Sequence, residues 1–110
     1  MKKHERVKSN LLFNEIIKEG KKKSNNYFTI FFVDKDNLKP LFGVSAPKKL
    51  GNAVVRNKLK RQVRALIMET KFLFKNNRNY IIIVKDAFKS AKYEEKLNSL
   101  KELIGEINEK

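Results

Sequence analysis

The spacing of apolar side chains along the chain separates helical segments from extended ones. Apolar residues recur every three or four positions in three segments, which is typical of amphipathic helices. Between them lie runs of β-branched and aromatic residues, which are typical of strands. The pattern predicts helices over residues 10–20, 53–74 and 92–108 and strands over residues 27–33, 41–45 and 80–84. No repeat and no linker divides the chain, so we predict a single compact α+β domain over residues 9–110, preceded by a basic N-terminal extension over residues 1–8.

The first helix carries end signals in its sequence. Ser9 or Asn10 can cap its N-terminus, because a side-chain oxygen there accepts a hydrogen bond from a free backbone N–H. Gly20 suits the left-handed position that often ends a helix. The run Lys21-Lys22-Lys23-Ser24-Asn25-Asn26 that follows has the composition of a turn or loop. We therefore expect its lysines to be solvated and to contribute only to the overall positive electrostatic field of the protein.

Composition narrows the possible chemistry. The 110 residues include 26 Lys and Arg against 12 Asp and Glu, which gives a formal net charge of +14. The chain has no cysteine and a single histidine, His4, which excludes thiol catalysis, Cys-ligated metal and any site with two imidazoles. We therefore predict no catalytic residue and no metal site on the protein. No apolar run approaches the roughly 18 residues of a membrane span, so no membrane partner is expected.

The positive charge is concentrated in the first three quarters of the chain. Residues 1–85 carry 21 basic and 6 acidic side chains, whereas residues 86–110 carry 5 basic and 6 acidic ones. An excess of this size points to a polyanionic partner such as nucleic acid.

The predicted helix from residue 53 carries a stripe of polar residues at i, i+3, i+4 and i+7 spacing. The stripe consists of Asn57, Lys60, Arg61 and Arg64. Its three cations repel one another by a few tenths of a kcal/mol per pair, and Glu69 is the one acidic residue between positions 53 and 75. A purely solvated surface would leave this repulsion unrelieved, whereas a polyanion would neutralise it. We therefore favour a nucleic-acid-binding surface, with apolar residues of the opposite side packed on the sheet.

This segment and its surroundings resemble the protein subunit of bacterial ribonuclease P. The family pattern is matched by Gly43, Lys48, Lys49, Gly51, Ala53, Val54, Arg56, Asn57, Lys60, Arg61 and Arg64. The flanking elements follow in the family's order, so the resemblance covers nearly the whole chain. It implies the order α-β-β-β-α-β-α, with a four-stranded sheet flanked by helices and a left-handed βαβ crossover.

The resemblance also implies an activity and partners. The family assists a catalytic RNA that removes the 5′ leader of precursor tRNA, so the chain is expected to belong to an enzyme only as a subunit. The RNA performs the phosphodiester hydrolysis and the RNA-containing holoenzyme requires Mg²⁺, while the protein alone binds no cofactor. The expected partners are the ribonuclease P RNA and precursor tRNA, in the cytoplasm, with no membrane and no obligate protein partner.

The family's binding residues carry over position by position. The resemblance implies contacts to the catalytic RNA by Lys48, Lys49, Arg56, Lys58 and Arg61. It implies contacts to the single-stranded leader by Phe13, Ile17, Phe28, Phe31, Asn57, Lys60 and Arg64. Core packing is the alternative for Phe13 and Phe28. Phe31 and Phe32 point to opposite sheet faces, so at most one of them can line a cleft, and which phenylalanines do so stays open.

Two other function classes are compatible with a basic helix. A structural RNA-binding protein of the ribosomal type is the main alternative, although such proteins commonly carry long basic tails. A DNA-binding module is the other, but the turn that leads into this helix does not match a helix-turn-helix.

Overall fold

The computed structural model describes residues 6–7, 9–36 and 38–109, so residues 1–5 and 8 of the predicted extension, including His4, lie outside the described residues. Over the described residues the chain forms α1 (Asn10–Glu19), β1 (Lys21–Ser24), β2 (Phe28–Asp34), β3 (Leu41–Ser45), α2 (Ala53–Thr70), β4 (Arg78–Val84) and α3 (Tyr93–Asn108). Short 3₁₀ turns follow at Lys48–Leu50, Lys71–Leu73 and Asp86–Ser90. This order confirms the α-β-β-β-α-β-α arrangement.

The lysine run after α1 is a strand, so the prediction of a loop there is wrong for residues 21–24. β1 pairs antiparallel with β2, from Lys21 opposite Phe32 to Ser24 opposite Thr29. Lysine is a poor strand former, which hides the element from local sequence patterns. The pairing with β2 supplies the stability that local propensity does not.

The four strands form one mixed sheet in the order β1-β2-β4-β3. β2 is antiparallel to both β1 and β4, whereas β3 and β4 are parallel and are joined through α2. The left-handed path implied for this crossover stays a prediction. Within the predicted N-terminal extension, Arg6 forms a bridge to Phe42 on the outer edge of β3, and the Val7 N–H donates to the Phe42 carbonyl at 2.9 Å.

The two faces of the sheet are covered differently. The main core lies on the side of α2 and α3, where Phe28, Ile30 and Phe32 of β2 are buried together with the apolar side of α2. On the other side α1 packs against β2 and β4, and here Ile16 and Ile81 are buried outside the main core. Because α1 has only ten residues, part of this second face stays accessible.

The ends of α1 agree only partly with the sequence signals. Ser9 caps the helix as predicted, since its hydroxyl accepts the Leu12 N–H at 3.0 Å. Gly20 is not left-handed, with φ of −74°. Its lack of a side chain is required for another reason: a Cβ there would lie 2.8 Å from the Phe32 carbonyl oxygen and closer still to that of Ile16. Gly20 thus allows the chain to pass tightly from α1 into β1.

Candidate nucleic-acid interface

A tight turn presents two lysines immediately before α2. Leu50 of the turn is fully buried, whereas Lys48 and Lys49 are exposed. Gly51 has φ of +145°, a backbone conformation that L side chains rarely adopt, and a Cβ there would also lie 3.1 Å from the Val55 side chain. Glycine at this position therefore lets the chain turn from the buried Leu50 into the helix while both ammonium groups face outward.

The first turn of α2 is held by its cap and by one arginine. The Asn52 side chain accepts the Val55 N–H at 3.0 Å and so caps the helix. Arg56 is half-buried, and its Nε donates to the Ala46 carbonyl at 2.8 Å. This bond ties the helix to the preceding turn, so Arg56 has a structural contact in addition to its charge. The first turn of α2 contains no acidic residue, so no negative side chain there neutralises the positive N-terminal end of the helix dipole.

The polar stripe of α2 faces away from the main core. Asn57 and Arg61 are exposed, while Lys60 and Arg64 are half-buried. On the opposite side of the helix, residues of the main core are buried: Leu59, Val63, Leu66 and Ile67. The predicted orientation of the helix on the sheet is therefore confirmed.

Arg64 connects this stripe to the face that carries α1. It lines a cavity of about 130 Å³ together with Phe13 of α1, Gly43 of β3 and Arg6. Its Nε is buried and has no hydrogen-bond partner among the described residues. Burial lowers the pKa of Arg64, and the nearby charge of Arg6 adds to this effect. A donor with no acceptor beside a second cation is an environment that an anion would relieve.

Phe13 reaches the sheet because Gly43 has no side chain. A Cβ on Gly43 would lie 3.2 Å from Phe13 Cε2, which is tighter than ordinary van der Waals contact. Phe13 is half-buried, and so is Ile17 one helical turn further along α1. An aromatic ring and an aliphatic side chain therefore both present accessible surface at the border between α1 and the open part of the sheet.

The phenylalanines of β2 are divided between the two faces. Phe28 is fully buried and its ring meets Phe88 edge to face, with centroids 5.3 Å apart. Phe28 is therefore a core residue, and its assignment to the leader-binding set is corrected. Phe32 is also buried, with the Arg78 guanidinium 5.1 Å from its ring centroid. Phe31 is half-buried on the α1 side, so it alone of the three is available to a ligand.

Lys58 lies on a different flank of α2 from the stripe. It is exposed, and its charge acts on Lys96 of α3: burial lowers the pKa of Lys96 and Lys58 lowers it further. Of the residues implied for the catalytic RNA, Lys48 and Lys49 thus lie on the turn, Arg61 lies on the stripe, and Arg56 and Lys58 lie elsewhere on α2. The structure brings together Phe13 and Arg64 of the other group, with Phe31 on the same sheet face.

Several residues near this face carry no clear signal in the sequence. Thr29 and Ser45 stand on either side of the half-buried Ile83 in the pairing register, and both are partly accessible. Serine and threonine are too common in proteins for a ligand-binding role to be inferred from their presence in the sequence. Arg6 is a different case, because it is one of only five arginines and lies in the basic N-terminal segment.

Among residues 6–7, 9–36 and 38–109, no group of three or more His, Asp or Glu side chains is arranged to hold a metal ion. No helix in the same part is long and apolar enough to cross a lipid bilayer.

An α+β fold of this order with a cationic helix beside partly open aromatic rings is typical of a small nucleic-acid-binding protein. The family model described as ribonuclease P matches residues 1–108. The chain is 36% identical over 105 residues to the ribonuclease P protein component of Bacillus pumilus (strain SAFR-032), covering 94% of this chain and 88% of that protein. It is 39% identical over 102 residues to the component from Bacillus cereus (strain B4264), covering 91% and 88%. The chain belongs to the bacterial ribonuclease P protein family.

Solved structures of the family share the fold. A Staphylococcus aureus RNase P protein mutant with defective mRNA degradation activity matches with a TM-score of 0.86 and 31% identity, over 96% of this chain and 90% of that one. The RNase P protein from Thermotoga maritima matches with a TM-score of 0.82 and 28% identity, over 91% and 94%. The chain is therefore a subunit of the ribonucleoprotein endonuclease ribonuclease P, an RNA-binding component of tRNA processing that associates with ribonuclease P RNA. Family membership also sets aside the ribosomal-type and DNA-binding alternatives.

Proposed function

We propose that the chain binds the catalytic RNA and the 5′ leader of precursor tRNA through two adjoining surfaces. The leader surface comprises Phe13, Ile17 and Phe31 with Asn57, Lys60 and Arg64, and the RNA surface comprises Lys48, Lys49, Arg56, Lys58 and Arg61. The observation that carries the proposal is the cavity in which Arg64 of the α2 stripe meets Phe13 of α1.

The leader surface has the two properties that single-stranded RNA requires. Its cations can follow the phosphate backbone, and its accessible rings can stack on unpaired bases. Stacking contributes about 1–3 kcal/mol per base and tolerates any base, because every base has a π-face. Such tolerance suits leaders whose sequences differ between tRNA precursors. Asn57 adds a donor and an acceptor for a sugar or a base edge.

The RNA surface is built for phosphate contacts. Lys48, Lys49, Lys58 and Arg61 are exposed, so their charges are free to approach a backbone. Arg56 contributes differently, since its Nε is already bound to Ala46 and only the rest of its guanidinium can face RNA. Arginine at position 61 offers a planar fork that matches phosphate oxygens better than an ammonium group does.

Mg²⁺ does not fit this protein surface. Magnesium prefers oxygen ligands in octahedral geometry, whereas the leader surface gathers Arg64 and Arg6 around its cavity. We therefore propose that the Mg²⁺ of the holoenzyme is held by the RNA, and that the protein contributes binding and orientation of the substrate. The proposed site of action is the cytoplasm, where precursor tRNA meets the holoenzyme, with no further protein partner needed.

Reconstitution tests the proposal. The chain is combined with a cognate catalytic RNA at near-physiological Mg²⁺, and the affinities for precursor tRNA and mature tRNA are compared. We expect faster cleavage and a clear preference for the precursor when the protein is present. If the protein changes neither cleavage nor precursor binding, the proposal is wrong.

Arg64 provides a sharper version of this experiment. Arg64→Gln should weaken precursor binding more than mature tRNA binding, and it should flatten the slope of log K against log[salt] by about 0.7, the value for one single-strand phosphate contact. Lys101→Gln is the matched control, because Lys101 is an exposed cation on α3. Equal losses for both tRNAs would remove Arg64 from the leader surface.

A further inference from the structure

The lysines of β1 do not share one environment, because successive side chains of a strand point to opposite faces. Lys22 lies opposite Phe31 in the β1–β2 register, and so it stands on the same face as the leader surface. Lys21 lies opposite the buried Phe32 and Lys23 opposite the buried Ile30, on the side of the main core. Strand formation therefore places the side chain of Lys22 on the opposite face of the sheet from the side chains of Lys21 and Lys23.

Lys22 is also in contact with the accessible ring. Its Nζ lies 5.9 Å from the centroid of the Phe31 ring, and the side chain is exposed. This distance is at the outer limit of cation–π attraction, so little interaction free energy is lost when the ammonium group turns to another partner. An exposed lysine changes rotamer within nanoseconds. Lys22 can therefore leave the ring free for a base and remain beside it.

The pairing register places Lys22 at one end of a row across the sheet. Lys22 is opposite Phe31, Phe31 is opposite Ile81, and Ile81 is opposite Gly43. Neighbouring strands lie about 4.8 Å apart, so the row spans roughly 14 Å. Phe13 covers the Gly43 end, where Arg64 lines the cavity. The partly open face thus has cations at both ends and phenylalanine rings near each.

We propose that Lys22 binds a backbone phosphate of single-stranded RNA at the nucleotide whose base stacks on Phe31. The inference rests on the proposed function and extends the leader surface to the β1 edge of the sheet. A different role for lysine on an edge strand is to prevent pairing with another chain. That role would be served equally by the exposed Lys21, so comparison of the two lysines separates the explanations.

The experiment compares Lys22→Ala with Lys21→Ala in the reconstituted holoenzyme. Both variants lose one exposed cation from the same strand, but only Lys22→Ala loses it from the face of the sheet that carries the leader surface. The substrates are precursor tRNAs whose leaders are shortened one nucleotide at a time, and mature tRNA. We expect Lys22→Ala to weaken binding of the long-leader precursor about twofold to tenfold, the range for one net hydrogen bond. This loss of affinity should disappear when the leader is too short to reach β1. It should also be absent for mature tRNA, which has no leader.

Salt dependence and charge rescue provide independent readouts. Lys22→Ala should flatten the slope of log K against log[salt] by about 0.7, whereas Lys21→Ala should change it by less than half as much. Lys22→Arg should restore binding and Lys22→Gln should not. Thermal unfolding of all variants establishes that each is folded.

The outcomes distinguish this inference from the proposed function. Equal effects of Lys22→Ala and Lys21→Ala, with a wild-type protein that still prefers long leaders, would overturn the role of Lys22 and leave the leader surface in place. If wild-type protein shows no dependence on the leader at all, the proposed function fails and the role of Lys22 fails with it.

Discussion

The two faces of the sheet use the same residue type for opposite purposes. On the α2 and α3 side, Phe28 is buried against the ring of Phe88 and Phe32 is buried beside the Arg78 guanidinium, and both belong to the main core. On the α1 side, Phe13 and Phe31 are half-buried beside cations. The difference comes from coverage: two long helices seal one face, whereas one short helix leaves the other partly open. A phenylalanine in this protein is therefore either sealed in the core or left accessible to a ligand, according to the face it occupies.

The strongest test of this comparison removes a ring from the sealed face. Phe28→Ala should lower the free energy of unfolding by about 3–5 kcal/mol, because it deletes a fully buried aromatic side chain and leaves a cavity. Urea denaturation measures the loss. If the variant kept its stability but lost leader affinity, Phe28 would belong to the open face, and the distinction between the two faces of the sheet would be wrong.

The matching change on the open face is Phe31→Ala. We expect a loss of leader affinity of about 1–3 kcal/mol, the contribution of one stacked base, with a smaller loss of stability than for Phe28→Ala. Leader-dependent binding and urea denaturation are measured on the same protein. Phe31→Tyr keeps the ring and should keep the affinity. A variant that binds leaders as tightly as wild type would show that no base stacks on Phe31.

Gly43→Ala tests how the open face holds its other ring. The added methyl would meet Phe13 Cε2 at 3.2 Å and the side chain of Ile81, so overpacking should cost about 1–3 kcal/mol of stability. Displacement of Phe13 should weaken leader binding as well. Normal stability together with normal leader affinity would show that Phe13 does not depend on the missing side chain.

Gly105→Ala is the reference for that experiment and has the smallest expected effect. Gly105 lies in α3, and a Cβ there would have no neighbour within 4 Å. Alanine is favoured over glycine in a helix interior by about 0.8–1 kcal/mol, so this variant should be more stable than wild type and bind leaders equally well. Thermal unfolding checks the direction. A destabilised variant would mean that the Gly43→Ala result cannot be assigned to local packing.

Much of the fold was predictable from periodicity, and the exceptions have identifiable causes. β3 begins and ends where its apolar run predicts, and α3 begins one residue later than predicted. β1 was missed because its lysines resemble loop residues and its stability comes from pairing with β2. The unusual end of α1 was missed because glycine at position 20 is required by the close approach of the Ile16 and Phe32 carbonyl oxygens rather than by its own φ.

The candidate site was predictable in composition but not in arrangement. The α2 stripe follows directly from helical spacing, and its orientation on the core is confirmed. The error over Phe28 was avoidable, because Phe28 and Phe31 are three positions apart in one strand and cannot share a face. What no local pattern shows is which face α1 leaves open. That depends on the long-range pairing that brings Gly43, Ile81 and Phe31 into one row.

The parallel pairing of β3 with β4 has a consequence for how the interface forms. It joins Leu41 to Asn79 across a long stretch of chain that contains all of α2. Such a high-contact-order connection gains its favourable contacts only after a large loop has closed, which makes it an intrinsically slow step of folding. The cationic helix α2 lies inside that loop. Its cationic stripe should therefore reach its final position beside Phe13 late, together with the closure of the sheet, so that competence to bind RNA reports completion of the fold.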